Sequence, residues 1–98
     1  MMDDDRGFVG KTVLIGLTNY DHSGELLGYQ QLFGEIKTLS AERGIEVELD
    51  DGGKYYLPPD TSVLSEAPPG EYRLRETGKI IINPDFICTY SVTKPPLN

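Results

Sequence analysis

Apolar residues recur at every second position in short runs along this chain, and the runs end at glycine, proline or aspartate. A period of two marks strands with one buried face. Residues 8–20 read as the first strand, with Val13, Ile15 and Leu17 on one face and Leu14, Gly16, Thr18 and Tyr20 on the other. Asp21-His22-Ser23-Gly24 is a turn signal, because Asp bonds its own backbone and Gly supplies positive φ. It predicts a long loop or irregular hairpin over residues 21–28. In residues 29–40, Leu32, Gly34 and Ile36 share a face, but Leu39 falls on the other. That phase slip predicts a bulge or bend near Gly34 or Lys37.

Residues 45–50 give the clearest alternation, Ile45, Val47 and Leu49 inward against Glu46, Glu48 and Asp50 outward. Asp51-Gly52-Gly53 predicts a tight turn, and residues 54–57 the returning strand. Pro58-Pro59 ends it, since proline has no N–H for a ladder. Asp60 then suits the N-cap of one short helical turn. Residues 71–75 and 79–82 predict a hairpin, Tyr72 and Leu74 inward, Arg73 and Arg75 outward. Residues 86–92 predict the last strand, with Phe86, Cys88, Tyr90 and Val92 on one face.

These elements predict an all-β fold, a small, partly open five- to seven-stranded barrel with one short helical turn. Residues 8–92 form its single domain. Residues 1–7 are expected as a disordered acidic tail, and residues 93–98 as a frayed C-terminal tail. Ninety-eight residues suit one modest core and no second domain.

The order of strand, loop, bent strand, strand, tight turn, strand, helical turn and final strand resembles the small barrels of the Src-homology type and of Sm-like proteins. The resemblance is one of layout and spans about residues 8–92. The Sm signature in the loop after the bent strand is replaced by Ala41-Glu42-Arg43-Gly44, so no uridine pocket is implied. The chain as a whole is similar to a small bacterial family with no activity attached. The stretches that carry this likeness are Phe8-Val9-Gly10-Lys11, Leu57-Pro58-Pro59-Asp60 and Pro68-Pro69-Gly70-Glu71-Tyr72-Arg73-Leu74-Arg75.

Charge narrows the partner class. The chain carries 16 acids and 9 bases, a net −7. Residues 1–51 hold 11 acids and 4 bases, residues 52–98 five of each, so the whole imbalance lies in the first half. Phosphate backbones are repelled there, which argues against nucleic acid. One Cys allows no internal disulfide and no thiolate zinc cluster, and the acidic start is no secretory signal. No run of 18 apolar residues is present to cross a membrane. A cytoplasmic protein is expected.

Candidate chemistry is thin. Gly10-Lys11-Thr12 ends like a phosphate loop, but Asp5 stands where its first Gly belongs, and a β pattern follows instead of a helix. Asp21-His22-Ser23 has triad residue types in adjacent positions, which do not converge on one centre. Cys88 is expected in the core. One His and one Cys fill no transition-metal site. The expectation is therefore no catalytic residue, no cofactor and no metal.

Two surface features remain. Glu46, Glu48 and Asp50 form a carboxylate stripe, with Tyr20 and Tyr29 as aromatic contacts, since Tyr joins an apolar body to a polar tip. Arg73, Arg75 and Lys79 form the main basic cluster, expected to pair with that stripe or hold an anion. The leading expectation is a non-catalytic protein-interaction module, possible homo-oligomers included. The alternatives are an acidic inhibitor or immunity-type protein that blocks a basic nuclease, and an Sm-like nucleic-acid binder.

Overall fold

The strand predicted around Val13, Ile15 and Leu17 forms the centre of the sheet. The computed structural model describes residues 7–95. Among the described residues eight strands run in chain order: β1 (Thr12–Tyr20), β2 (Leu26–Ser40), β3 (Gly44–Leu49), β4 (Lys54–Leu57), β5 (Ser65–Glu66), β6 (Glu71–Arg73), β7 (Ile80–Ile82) and β8 (Phe86–Thr93). A 3-10 turn (Thr61–Val63) follows β4, capped by Asp60, whose Oδ1 accepts from the Ser62 N–H at 2.9 Å. The fold is all-β, as the alternation predicts.

Six strands form one sheet in the order β4-β3-β2-β1-β8-β5, and β6 and β7 form a separate two-stranded ribbon. The six-stranded ladder does not close on itself, and β4 and β5 are its edges. The strand count exceeds the expected five to seven because β5 has only two residues, too few to leave an alternation. β8 lies parallel to β1, from Val13 opposite Phe86 to Tyr20 opposite Thr93. A reciprocal box fixes this register. The Thr12 N–H and Oγ1 donate to Asp85 Oδ2 at 2.9 and 3.1 Å, and the Asp85 N–H donates to Thr12 Oγ1 at 3.0 Å.

The phase slip in β2 is a bulge at Lys37: Ile36 pairs with Val47, and the next paired residue is Thr38, opposite Glu46. The extra residue rotates Leu39 back toward the side that Ile36 occupies, so both reach one core. The expected loop over residues 21–28 is shorter. Asp21 Oδ1 accepts from the Ser23 and Glu25 N–H groups at 2.9 Å each, which closes the turn and starts β2 at Leu26. The Glu25 amide, then the Ser23 hydroxyl, holds the Asp21 carboxyl below its usual range.

One face of the sheet buries Val13, Ile15, Leu17, Ile36, Ile45, Val47, Leu57, Leu64 and Cys88. Cys88 is 2% exposed and packs as a small hydrophobe, and burial pushes its thiol up. The other face carries a smaller core, where Leu74 and Ile81 of the β6–β7 ribbon and its turn cover Leu14, flanked by Phe33 and Tyr72. The sheet thus has two buried faces over β1 and β2.

The sheet curls enough for β4 and β8, which are not neighbours in the ladder, to meet through Tyr55 Oη and Tyr90 Oη at 2.8 Å. Burial first, then this hydrogen bond, raises the Tyr90 pKa above its ordinary 10.0. The raised value makes the neutral phenol the stabilising form. Its contribution is full below the unfolded pKa of 10.0 and is lost as pH climbs through the folded value. Urea midpoints measured across alkaline pH are expected to fall from about pH 10 upward. In Tyr90→Phe, the part of that fall due to Tyr90 disappears.

The tail boundaries need correction. Thr93 belongs to β8, and the Lys94 N–H donates to the Tyr20 carbonyl oxygen at 2.8 Å, so the C-terminal strand is held through residue 94. Gly7, placed in the acidic tail, stands in a turn. Asp3, Asp4 and Asp5 lie outside the described residues, as do residues 96–98. Among the described residues, no helix is long and apolar enough to cross a membrane.

Candidate functional site

The predicted carboxylate stripe exists as a face, but lysines occupy it. Glu46 on β3 accepts from Thr38 Oγ1 at 3.3 Å and pairs with Lys54 Nζ at 3.5 Å. Lys37 Nζ, turned out by the bulge, lies 3.3 Å from Glu48 and 3.5 Å from Glu35. Glu48, then Glu35, raises the Lys37 pKa. Asp50 pairs with Lys79. Such exposed pairs are screened by solvent, so they neutralise the stripe more than they stabilise the fold.

The basic cluster is divided. Lys79 meets the stripe at Asp50, as expected. Arg73 stands on the outer side of the ribbon, opposite Ile80. Arg75 donates its main-chain N–H to Gln31 Oε1 at 2.8 Å. It helps line a shallow cleft of about 390 Å³ with Gly16, Thr18, Tyr29, Gln31 and Thr89.

The tyrosines and the stripe share a sheet face but do not form one patch. Tyr29 pairs with Thr18, whereas Glu48 pairs with Glu35, six positions farther along β2. Six residues of strand span about 20 Å. The β6–β7 ribbon, packed on Leu14 and Phe33, lies over the positions between them. Tyr20 is half-buried at the end of β1, and Tyr29 is 60% exposed.

What gathers around Tyr29 was not predicted. β3 pairs with β2 only from Gly34 onward, so, among the described residues, positions 26–33 of β2 have β1 on one side and no strand on the other. β1, the first half of β2 and β8 therefore run on past the rest of the sheet. Leu26, Leu27 and Tyr29 on this projection are 48, 55 and 60% exposed. Beside it, a cleft of about 410 Å³ opens between β2, the β3–β4 turn and the ribbon. Its lining includes Gln31, Phe33, Leu49, Asp50, Leu74 and Lys79. Leu26 and Leu27 escaped the sequence reading because they fall in the stretch read as loop. Their exposure depends on where β3 stops, which no local pattern records.

His22 is exposed in its turn and Cys88 is buried in the core, so the two side chains with nucleophile or ligand chemistry are apart. Among the described residues, no group of three or more His, Cys, Asp or Glu side chains is placed to hold a metal ion. Comparison with protein-family models, with curated proteins and with solved structures finds no match.

Proposed function

We propose that this chain is a non-catalytic, cytoplasmic protein-interaction module that binds through the projecting end of β1 and β2. One observation carries the reading: Leu26, Leu27 and Tyr29 are about half exposed or more, close together along the part of β2 that outruns the sheet. Apolar side chains clustered at a surface favour a covering partner, because burying them removes apolar area from water. Tyr20, on the neighbouring strand, extends the same patch. Glu46, Glu48 and Asp50, each already paired with a lysine, lie beyond the ribbon and outside this patch. A partly open small barrel of the Sm-like or Src-homology layout belongs to the same proposal, and the Tyr55–Tyr90 contact across the curl supports it.

Affinity capture from native lysate tests this reading. Proteins held by the wild type are expected to be lost with Leu27→Glu combined with Tyr29→Ala, and retained with Glu46→Gln combined with Glu48→Gln. The reverse pattern would move the contact to the stripe. Equal capture by all three proteins would remove the reading.

A further inference from the structure

The projecting part of β2 offers more than apolar side chains. The Ile36 N–H donates to the Lys11 carbonyl oxygen at 2.8 Å, so Ile36 turns its backbone groups toward the β1 side. Backbone direction alternates along a strand, so residues 28, 30, 32 and 34 do the same, and 29, 31 and 33 face the other edge. Phe33 confirms the phase, since its carbonyl oxygen accepts from the Asp50 N–H at 3.0 Å. Tyr29 and Gln31 therefore point their N–H and C=O groups out of the sheet, where no described residue meets them.

The outer edges of β4 and β5 are guarded, whereas β8 beyond Ile87 has, like the projecting part of β2, no further strand among the described residues. β4 has four residues, begins at Lys54 and runs into Pro58-Pro59, and β5 has only two residues. Short strands, lysine and proline are the usual protections of an edge. Residues 26–34 of β2 contain no charge and no proline. Acidic side chains return at both ends of this neutral stretch, as Asp21 and Glu25 before it and as Asp51 and Glu76 around the cleft beyond it, where Asp50 is already taken by Lys79.

We propose that the open edge of β2 takes up an extended segment of a partner protein as an added strand, uncharged at its centre and basic at both ends. The proposal rests on the interaction-module reading and specifies the occupant. Main-chain hydrogen bonds to Tyr29 and Gln31 supply the register, and the cleft over Phe33, Leu49 and Leu74 receives alternate side chains. A second copy of this chain is the poorer occupant. Antiparallel pairing about Gln30 sets Leu27 of each copy opposite Phe33 of the other, whose carbonyl oxygen the Asp50 N–H already occupies, and Glu25 opposite Glu35, a like-charge contact at both ends.

The test is fluorescence anisotropy with a labelled peptide of about nine residues, alternating Val and Thr with two Lys at each end, long enough to span the edge. The Lys-ended peptide is expected to bind at least about tenfold more tightly than its Glu-ended counterpart, a gap that narrows in high salt. Tyr29→Pro removes an N–H that points away from the β1 ladder, so it is expected to keep its melting temperature while weakening binding at least about tenfold. Amide exchange on the wild type gives an independent readout, with Tyr29 and Gln31 gaining protection when the peptide is added.

No binding of the Lys-ended peptide at about 1 mM, equal binding of the two peptides, or no added protection at Tyr29 and Gln31 overturns the proposal. So does a stable dimer in sedimentation that the peptide leaves intact. A partner from lysate that is lost with the Leu27 and Tyr29 pair of substitutions, yet indifferent to Tyr29→Pro, removes strand addition and leaves the module.

Discussion

A Gly44→Ala variant is expected to lose about 2–5 kcal/mol of stability, one of the largest effects available to a single methyl group in this fold. Gly44 opens β3 with φ at +90°, a region that costs an L-residue roughly 1–2 kcal/mol. A Cβ there would also run into the carbonyl oxygen of Leu57, its neighbour across the β3–β4 pair. That atom belongs to the backbone of a paired strand and cannot rotate away, so the strand must shift, at roughly 1–3 kcal/mol more. Gly52 separates the two costs. Its φ is +94°, but a Cβ there meets nothing within 4 Å. Gly52→Ala should therefore lose only the conformational part. Urea denaturation of the two variants checks the difference, and equal losses would show that the Leu57 contact is not what constrains Gly44.

Ile15→Ala is expected to cost about 3–4 kcal/mol, within the range for a large aliphatic side chain cut back in a close-packed core. Ile15 is 0% exposed and sits on the central strand, with Leu32 of β2 and Cys88 of β8 as its cross-strand partners. No flexible edge is near enough to collapse into the space. Against a typical stability of 5–15 kcal/mol, the loss removes a large share of the total. Leu14, one residue earlier, faces the small core under the ribbon. Leu14→Ala should free the β6–β7 ribbon first, seen as faster amide exchange at Tyr72 and Ile81 with the rest of the sheet still protected. The same exchange pattern in both variants would mean that the two faces unfold as one unit.

These neighbours also show what the sequence makes legible. Alternation alone assigns Ile15 and Leu14 to opposite faces, because each strand residue inherits its side from its predecessor. The slip between Ile36 and Leu39 locates the bulge, and Asp60 locates the 3-10 turn, since both signals are local. The parallel partnership of β1 with β8 is not legible, because register between distant strands leaves no trace within either one. The same limit governs the surface. Glu46 and Glu48 are readable as one face, but Lys37 reaches Glu48 only through the bulge. Lys79 reaches Asp50 from a ribbon 29 positions away. The open edge at Tyr29 and Gln31 is a property of where β3 stops, not of β2 itself.

The parallel pairing also sets an order of events. β1 and β2 can zip together as soon as their short turn has left the ribosome, since they are neighbours in the chain. The other side of β1 must wait for residues 86–93, and the Thr12–Asp85 box spans 73 positions. Closing a loop of that length before any contact rewards it is slow, and folding rates fall as contacts become more distant in sequence. During synthesis the central strand is therefore the last to be enclosed. A nascent chain halted before β8 presents Val13, Ile15 and Leu17 beside an unpaired backbone, the kind of surface that chaperones attend.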